Sequence, residues 1–211
     1  DLDTLGEIGE LVRSFEDHEL EQHELLSFGR LIFHNEELIS KLQEQLCETV
    51  GNAVDEPVEP CYNFLSLYNN LGVCQVHMDA PGAKWTLDIC VDQTAAWPIY
   101  ISQVTDWPED FVQIQEDWQE QIKSDPANRF TGYAIEPGGG LVFSGSSQWH
   151  YRDRIPRTGK QNMCHLMFLH HVPLGTPELV QPGNWARLFD MPELARLGEQ
   201  YDKLASSPAM S

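Results

Sequence analysis

The chain has 211 residues, enough for one domain with a substantial buried core, and 41% of them are hydrophobic, as in a globular protein rather than a disordered one. Its 13 Lys and Arg stand against 33 Asp and Glu, a formal net charge of −20. Such a field repels phosphate backbones and anionic headgroups, which argues against nucleic-acid and membrane-surface partners.

The predicted elements begin with helix. Leu2, Leu5, Ile8, Leu11, Val12 and Phe15 recur at steps of three and four, which places them on one helical face. A second helix is expected from Asn35 as N-cap, with Glu36 and Glu37 in its first turn. Its apolar stripe is Leu38, Ile39, Leu42, Leu46 and Val50, and Gly51-Asn52 is its stop. The first fifty residues therefore read as helical, and Asp55 to Pro60, with two prolines and three acids, reads as a linker. From Cys61 the texture changes to short strand-like runs: Tyr62–Tyr68, Val73–His77, Trp85–Val91, Ile99–Val104, Gly132–Ile135, Gly140–Ser144 and Met163–Val172. Asn69-Asn70, Ala80-Pro81-Gly82 and Pro137-Gly138-Gly139-Gly140 punctuate them. An acidic, partly helical segment, 106–128, interrupts the series and carries Trp107, Phe111 and Trp118. A loop and a short polar helix around Pro192–Ala205 close the chain.

Many short strands after a helical segment predict a mainly β fold, a jelly roll or two-sheet sandwich supported by an α-helical layer. We expect one domain in three regions: helical support over 1–55, a β core over 56–175 with the insert 106–128, and a loop with a short helix over 176–211. No apolar run reaches the roughly 18 residues of a membrane span. The five cysteines show no CxxC spacing, and the first residues resemble no secretion signal. Together these predict reduced thiols and a cytoplasmic setting.

His77-Met78-Asp79 ends a strand-like run. In a strand, residues i and i+2 point to the same face, so an imidazole and a carboxylate are presented together. A third ligand from another strand would complete a 2-His-1-carboxylate facial triad with open metal positions, the arrangement of non-haem iron(II) oxygenases. His150 is the best third ligand, because a strand and a glycine turn (140–147) deliver it back toward the same point. An HxD triplet in a chain with eight His arises easily by chance, so its surroundings matter. His170 and His171 are adjacent and point to opposite faces of a strand, so they read as structural or supporting residues rather than a second metal site. Trp97, Trp107 and Trp118 read as core or lid aromatics.

Those surroundings resemble the Fe(II)/2-oxoglutarate-dependent dioxygenases, in particular a bacterial-type group. The matching stretches are Val76-His77-Met78-Asp79, then Ala96-Trp97-Pro98-Ile99, then Pro137 to Arg152 with its Gln-Trp-His150-Tyr-Arg152, and Phe168-Leu-His-His-Val172. The resemblance covers roughly residues 62–173. Gly139 stands where the group usually has Asp, and Tyr151 where it often has Trp.

The resemblance implies a double-stranded β-helix, iron(II) and 2-oxoglutarate as cofactors, and O2 as oxidant. It further implies hydroxylation or desaturation of a small-molecule or amino-acid-like substrate. Halogenases of this kind lack the carboxylate that Asp79 retains. For the far carboxylate of 2-oxoglutarate the resemblance points to Lys160 first, Arg152 second and Arg157 third, with Tyr68 as a hydrogen-bonding partner. The acidic segment 106–128 is expected to cover the substrate and would suit a cationic or amine-bearing one. Two other readings stay open: a cupin-like metal-binding jelly roll that uses no 2-oxoglutarate, and a non-catalytic interaction protein working through its acidic helices.

Overall fold

The computed structural model describes residues 2–16, 18–106, 117–159, 161–176, 182–188, 190–196 and 200. Lys160, Trp107, Phe111 and most of the C-terminal helix expected over Pro192–Ala205 lie outside these residues. The elements in chain order are α1 (Leu2–Ser14), β1 (Arg30–His34), α2 (Glu37–Val54), β2 (Val58–Tyr68), β3 (Cys74–His77), β4 (Trp85–Gln93) and β5 (Ile99–Val104). They continue with α3 (Trp118–Ser124), β6 (Thr131–Tyr133), β7 (Gly140–Phe143), β8 (Gln148–Arg152), β9 (Cys164–Pro173) and the single turn α4 (Trp185–Leu188). No helix among the described residues is long and apolar enough to cross a membrane.

The strands form two antiparallel sheets, one ordered β1-β2-β9-β4-β7 and the other β3-β8-β5-β6. Their side chains alternate with the period of two that strands impose. On β9, Cys164, Leu166 and Phe168 join Tyr68, Cys90, Trp97, Ile99, Ile101 and Phe143 in a core shared by both sheets. Met167 and Leu169 point the other way and pack with Ile8 of α1 and Ile39 and Val50 of α2. The two N-terminal helices therefore cover the outer face of the five-stranded sheet. On the outer face of the other sheet, Trp118 and Ile122 of α3 pack against Val76, Met78 and Trp149.

Several expectations change. Residues 30–34 form strand β1, paired with β2 from Arg30↔Tyr68 to His34↔Phe64. Its run Arg-Leu-Ile-Phe-His packs Leu31 and Phe33 outward and Ile32 inward, and a short apolar run buried on both faces has no period that separates strand from helix. Asn35 is the turn residue between β1 and α2, with φ of 51°, and its N–H donates to the Asn63 carbonyl at 3.1 Å. Glu36 is the N-cap instead, its carboxylate accepting from the Ile39 amide at 3.1 Å. The helix runs through Gly51-Asn52 and ends at Asp55, which takes the left-handed conformation. The linker is shorter than expected because β2 begins at Val58, and after the glycine turn His150 itself lies within a strand, β8.

Gln43 ties the helical layer to the sheet. Buried on α2, it donates to the backbone carbonyls of Tyr62 at 3.1 Å and His170 at 2.7 Å, and it accepts from Asn63 Nδ2 at 2.8 Å. A buried amide with this many partners fixes the register of α2 over β2 and β9.

Candidate metal and co-substrate site

His77 is the last residue of β3 and lies opposite His150 of β8 in the strand register. Asp79 follows two residues later, its amide N–H donating to the Gly145 carbonyl at 2.9 Å. One ligand atom from each of His77, Asp79 and His150 lies within 4.8 Å of the others. The spacings are 3.3 Å from His77 Nε2 to Asp79 Oδ1 and 3.6 Å from His150 Nε2 to Asp79 Oδ2. Among the described residues, no other group of three or more such side chains converges this way.

The backbone fixes both imidazole tautomers. His77 Nδ1 lies 2.7 Å from the Gln75 carbonyl and His150 Nδ1 lies 3.0 Å from the Gln148 carbonyl. A carbonyl only accepts, so each Nδ1 carries a proton and each Nε2 is the nitrogen turned toward the shared centre. Burial lowers the His77 pKa, but Cys74 and Asp79 outweigh it and raise the value, so a metal ion binding there displaces a proton from its Nε2. Two imidazole nitrogens, once His77 has given up its Nε2 proton, and one carboxylate, gathered on one side of a cavity, fit the donor set of a non-haem iron(II) site. Burial, and secondarily the neighbouring His77, lower the His150 pKa to about 4, so this ring is neutral and available as a ligand. Burial pushes the Asp79 carboxyl up, but His150 and His77 outweigh it and hold Asp79 below the usual carboxylate range.

The triad opens into a cavity of about 460 Å³, walled also by Arg30, Tyr68, Arg152 and His170. A second cavity of about 340 Å³ adjoins it, sharing Arg30, Tyr68 and His77 and adding Trp118 and Gln119 of α3. The described end of the acidic insert thus borders the site.

Of the residues expected to bind 2-oxoglutarate, Tyr68 and Arg152 both line the first cavity. Arg152 is 2% exposed and already matched: it donates to Asp88 Oδ2 at 2.6 Å and to the Trp97 carbonyl. Tyr68, 2% exposed, accepts from Arg30 Nη1 at 3.0 Å, and burial pushes its phenol up to about 12. Arg30 was not anticipated, because it sits in the stretch read as helix. It also pairs with Glu24 and reaches Ser66 Oγ at 3.4 Å. A guanidinium has five N–H donors, more than these three bonds use. His170, expected to be structural or supporting, also lines the cavity.

No family model and no curated protein sequence matches the chain. Solved structures do. The epimerase SnoN in complex with Fe3+, alpha-ketoglutarate and nogalamycin RO superposes with a TM-score of 0.55, at 9% identity over 81% of this chain and 75% of that one. HygX from Streptomyces hygroscopicus, with nickel, 2-oxoglutarate and hygromycin B bound, gives a TM-score of 0.53 at 9% identity, over 82% of this chain and 79% of that one. The chain has the fold of non-haem alpha-ketoglutarate-dependent enzymes. In this fold, the His-Asp-His cluster of the present chain is carried at the end of β3, just after it, and in β8.

Proposed function

We propose that this chain is a non-haem iron(II) oxygenase. In this reading it couples oxidative decarboxylation of 2-oxoglutarate to succinate and CO2 with hydroxylation, or desaturation, of an unactivated C–H bond in a small-molecule or amino-acid-like substrate. The observation that carries the reading is the convergence of His77 Nε2, Asp79 and His150 Nε2 on one point of a cavity wall, with both imidazole tautomers set for metal binding. Bound iron(II) and 2-oxoglutarate would supply dioxygen activation and the oxidising power for the C–H bond.

The fold is read as a double-stranded β-helix. In support, the chain alternates between the sheets from β2 to β5 and again from β6 to β9: β2, β4, β7 and β9 lie in one, β3, β5, β6 and β8 in the other. For the far carboxylate of 2-oxoglutarate we assign Arg30 with the Tyr68 hydroxyl, and Arg152 behind them as a source of positive field. Charge-assisted bonds from a planar guanidinium suit a carboxylate well. Lys160 remains the choice that the sequence resemblance supports. SnoN and HygX were solved with the small molecules nogalamycin RO and hygromycin B, which supports a small-molecule substrate here. The insert 106–128, bordering the second cavity through Trp118 and Gln119, is read as a substrate cover.

The test is succinate release by anaerobically purified, iron-loaded protein given 2-oxoglutarate and oxygen, beside His77→Ala. Turnover in the wild type and none in the variant supports the assignment. A tightly coupled enzyme can be silent without substrate, so the iron–2-oxoglutarate chelate absorption is read as well. Absence of both signals overturns the reading in favour of a cupin-like metal binder.

A further inference from the structure

Two adjacent histidines on β9 have opposite fates. His171 faces the helical layer, and both its nitrogens are near acceptors: Nδ1 is 3.1 Å from the Leu169 carbonyl and Nε2 is 3.5 Å from that of Gln43. His170 faces the cavity and is 3% exposed, yet its Nε2 has no hydrogen-bond partner among the described residues. A buried ring nitrogen left unpaired is uncommon and calls for a partner.

The surroundings narrow the choice. The His170 ring is held on its other side, with Nδ1 3.0 Å from Thr86 Oγ1, and its backbone carbonyl accepts from Gln43 Nε2. The Thr86 hydroxyl lies 3.0 Å from Nδ1 and 3.4 Å from the Ala83 carbonyl, which can only accept; with the one Thr86 proton on that carbonyl, Oγ1 accepts from His170 Nδ1–H and Nε2 is an acceptor. His170 lies outside the cluster whose ligand atoms could share an ion. Nε2 is therefore open to a molecule in the cavity. The walls beside it are aromatic: the Tyr62 ring is 4.2 Å and the Phe64 ring 5.5 Å from that of His170, centroid to centroid, and Phe168 lines the same space.

We propose that His170 is a substrate-binding residue, whose Nε2 accepts one hydrogen bond from a hydroxyl or amine carried on an apolar ring or chain that lies against Tyr62 and Phe64. This deepens the oxygenase reading and rests on it for the identity of the cavity as a substrate site. His170 then sets which face of the substrate is turned toward the triad, and it selects donor-bearing molecules over those of equal shape without a donor.

The test uses the whole chain loaded with zinc(II), which is diamagnetic, with 2-oxoglutarate and 15N-labelled histidine. Cyclohexanol and cyclohexylamine are the probes, and tetrahydropyran, a six-membered ring without an N–H or O–H donor, is the control. One probe is expected to bind more tightly than the control by about threefold or more, the scale of one neutral hydrogen bond, and to move the His170 Nε2 resonance. In His170→Phe, which keeps an aromatic ring between Tyr62 and Phe64, the preference should fall to about one, and His170→Gln should restore part of it. The proposal is overturned if neither probe is preferred in the wild type, as when a water fills the position, or if the preference survives in His170→Phe. The iron–2-oxoglutarate chelate absorption is recorded separately in the wild type and in His170→Phe. Its absence in the wild type counts against the oxygenase reading, whereas the probe preference reports on His170 alone.

Discussion

Gly145 makes room for Asp79. Its carbonyl accepts from the Asp79 amide at 2.9 Å, and a Cβ built on it would lie 2.3 Å from Asp79 Oδ2, 2.6 Å from the Ala83 carbonyl and 2.7 Å from Thr86 Oγ1. No real Cβ sits that close to a backbone oxygen, so the smallest side chain must displace the carboxylate. Gly145→Ala should weaken metal binding by about tenfold or more, as misplaced ligands and their supports commonly do. Zinc(II) titration of the variant against the wild type checks this, and an unchanged affinity would show that the carboxylate relaxes freely.

Arg30 joins β1 to the cavity wall. If it holds the far carboxylate of 2-oxoglutarate, Arg30→Ala should raise the 2-oxoglutarate dissociation constant by roughly tenfold to a hundredfold, the range of charge-assisted hydrogen bonds. Metal affinity should change little. Arg30→Lys keeps the charge but loses the fork and should fall between. Chelate-band titrations measure all three proteins, and equal constants would reassign the carboxylate to Arg152 or Lys160.

The Arg152–Asp88 pair is a matter of stability before it is one of binding. Both side chains are almost fully buried, at 3% and 0% exposure. Arg152→Ala leaves Asp88 unmatched in the core, where burial already raises its pKa, and should destabilise the fold by about 3–5 kcal/mol, whereas Arg152→Met combined with Asp88→Leu should cost clearly less. Urea unfolding of both variants checks the ordering. The reverse ordering would mean that Asp88 finds another partner.

Acidification should loosen the metal-free protein. Burial depresses His150 and His170 to about 4 in the folded state, against about 6.5 when unfolded, and it lowers His165 and His171 as well. Between these values the unfolded chain binds more protons, so stability is lost as pH falls through that window. His77 opposes this, since Cys74 and Asp79 outweigh its burial and raise its pKa, but it is one group against four. Melting temperature should drop between about pH 7 and about pH 5, and a rise would contradict the burial argument.

Much of this protein is written locally. Strand β5 occupies Ile99–Val104, as its run predicts, and the two-residue step from His77 to Asp79 presents both side chains to one centre, because strand geometry makes i and i+2 neighbours. Helix α2 follows its stripe of apolar residues for the same kind of reason. What the sequence could not reveal depends on pairings between distant segments. Arg30 reaches Tyr68 across 38 positions through the β1–β2 register, and Gly145 meets Asp79 across the cavity rim. The adjacent His170 and His171 differ only in which face of β9 is roofed by α2. Periodicity along one strand specifies that two faces exist, but only packing against other elements decides which face becomes core and which becomes a binding wall.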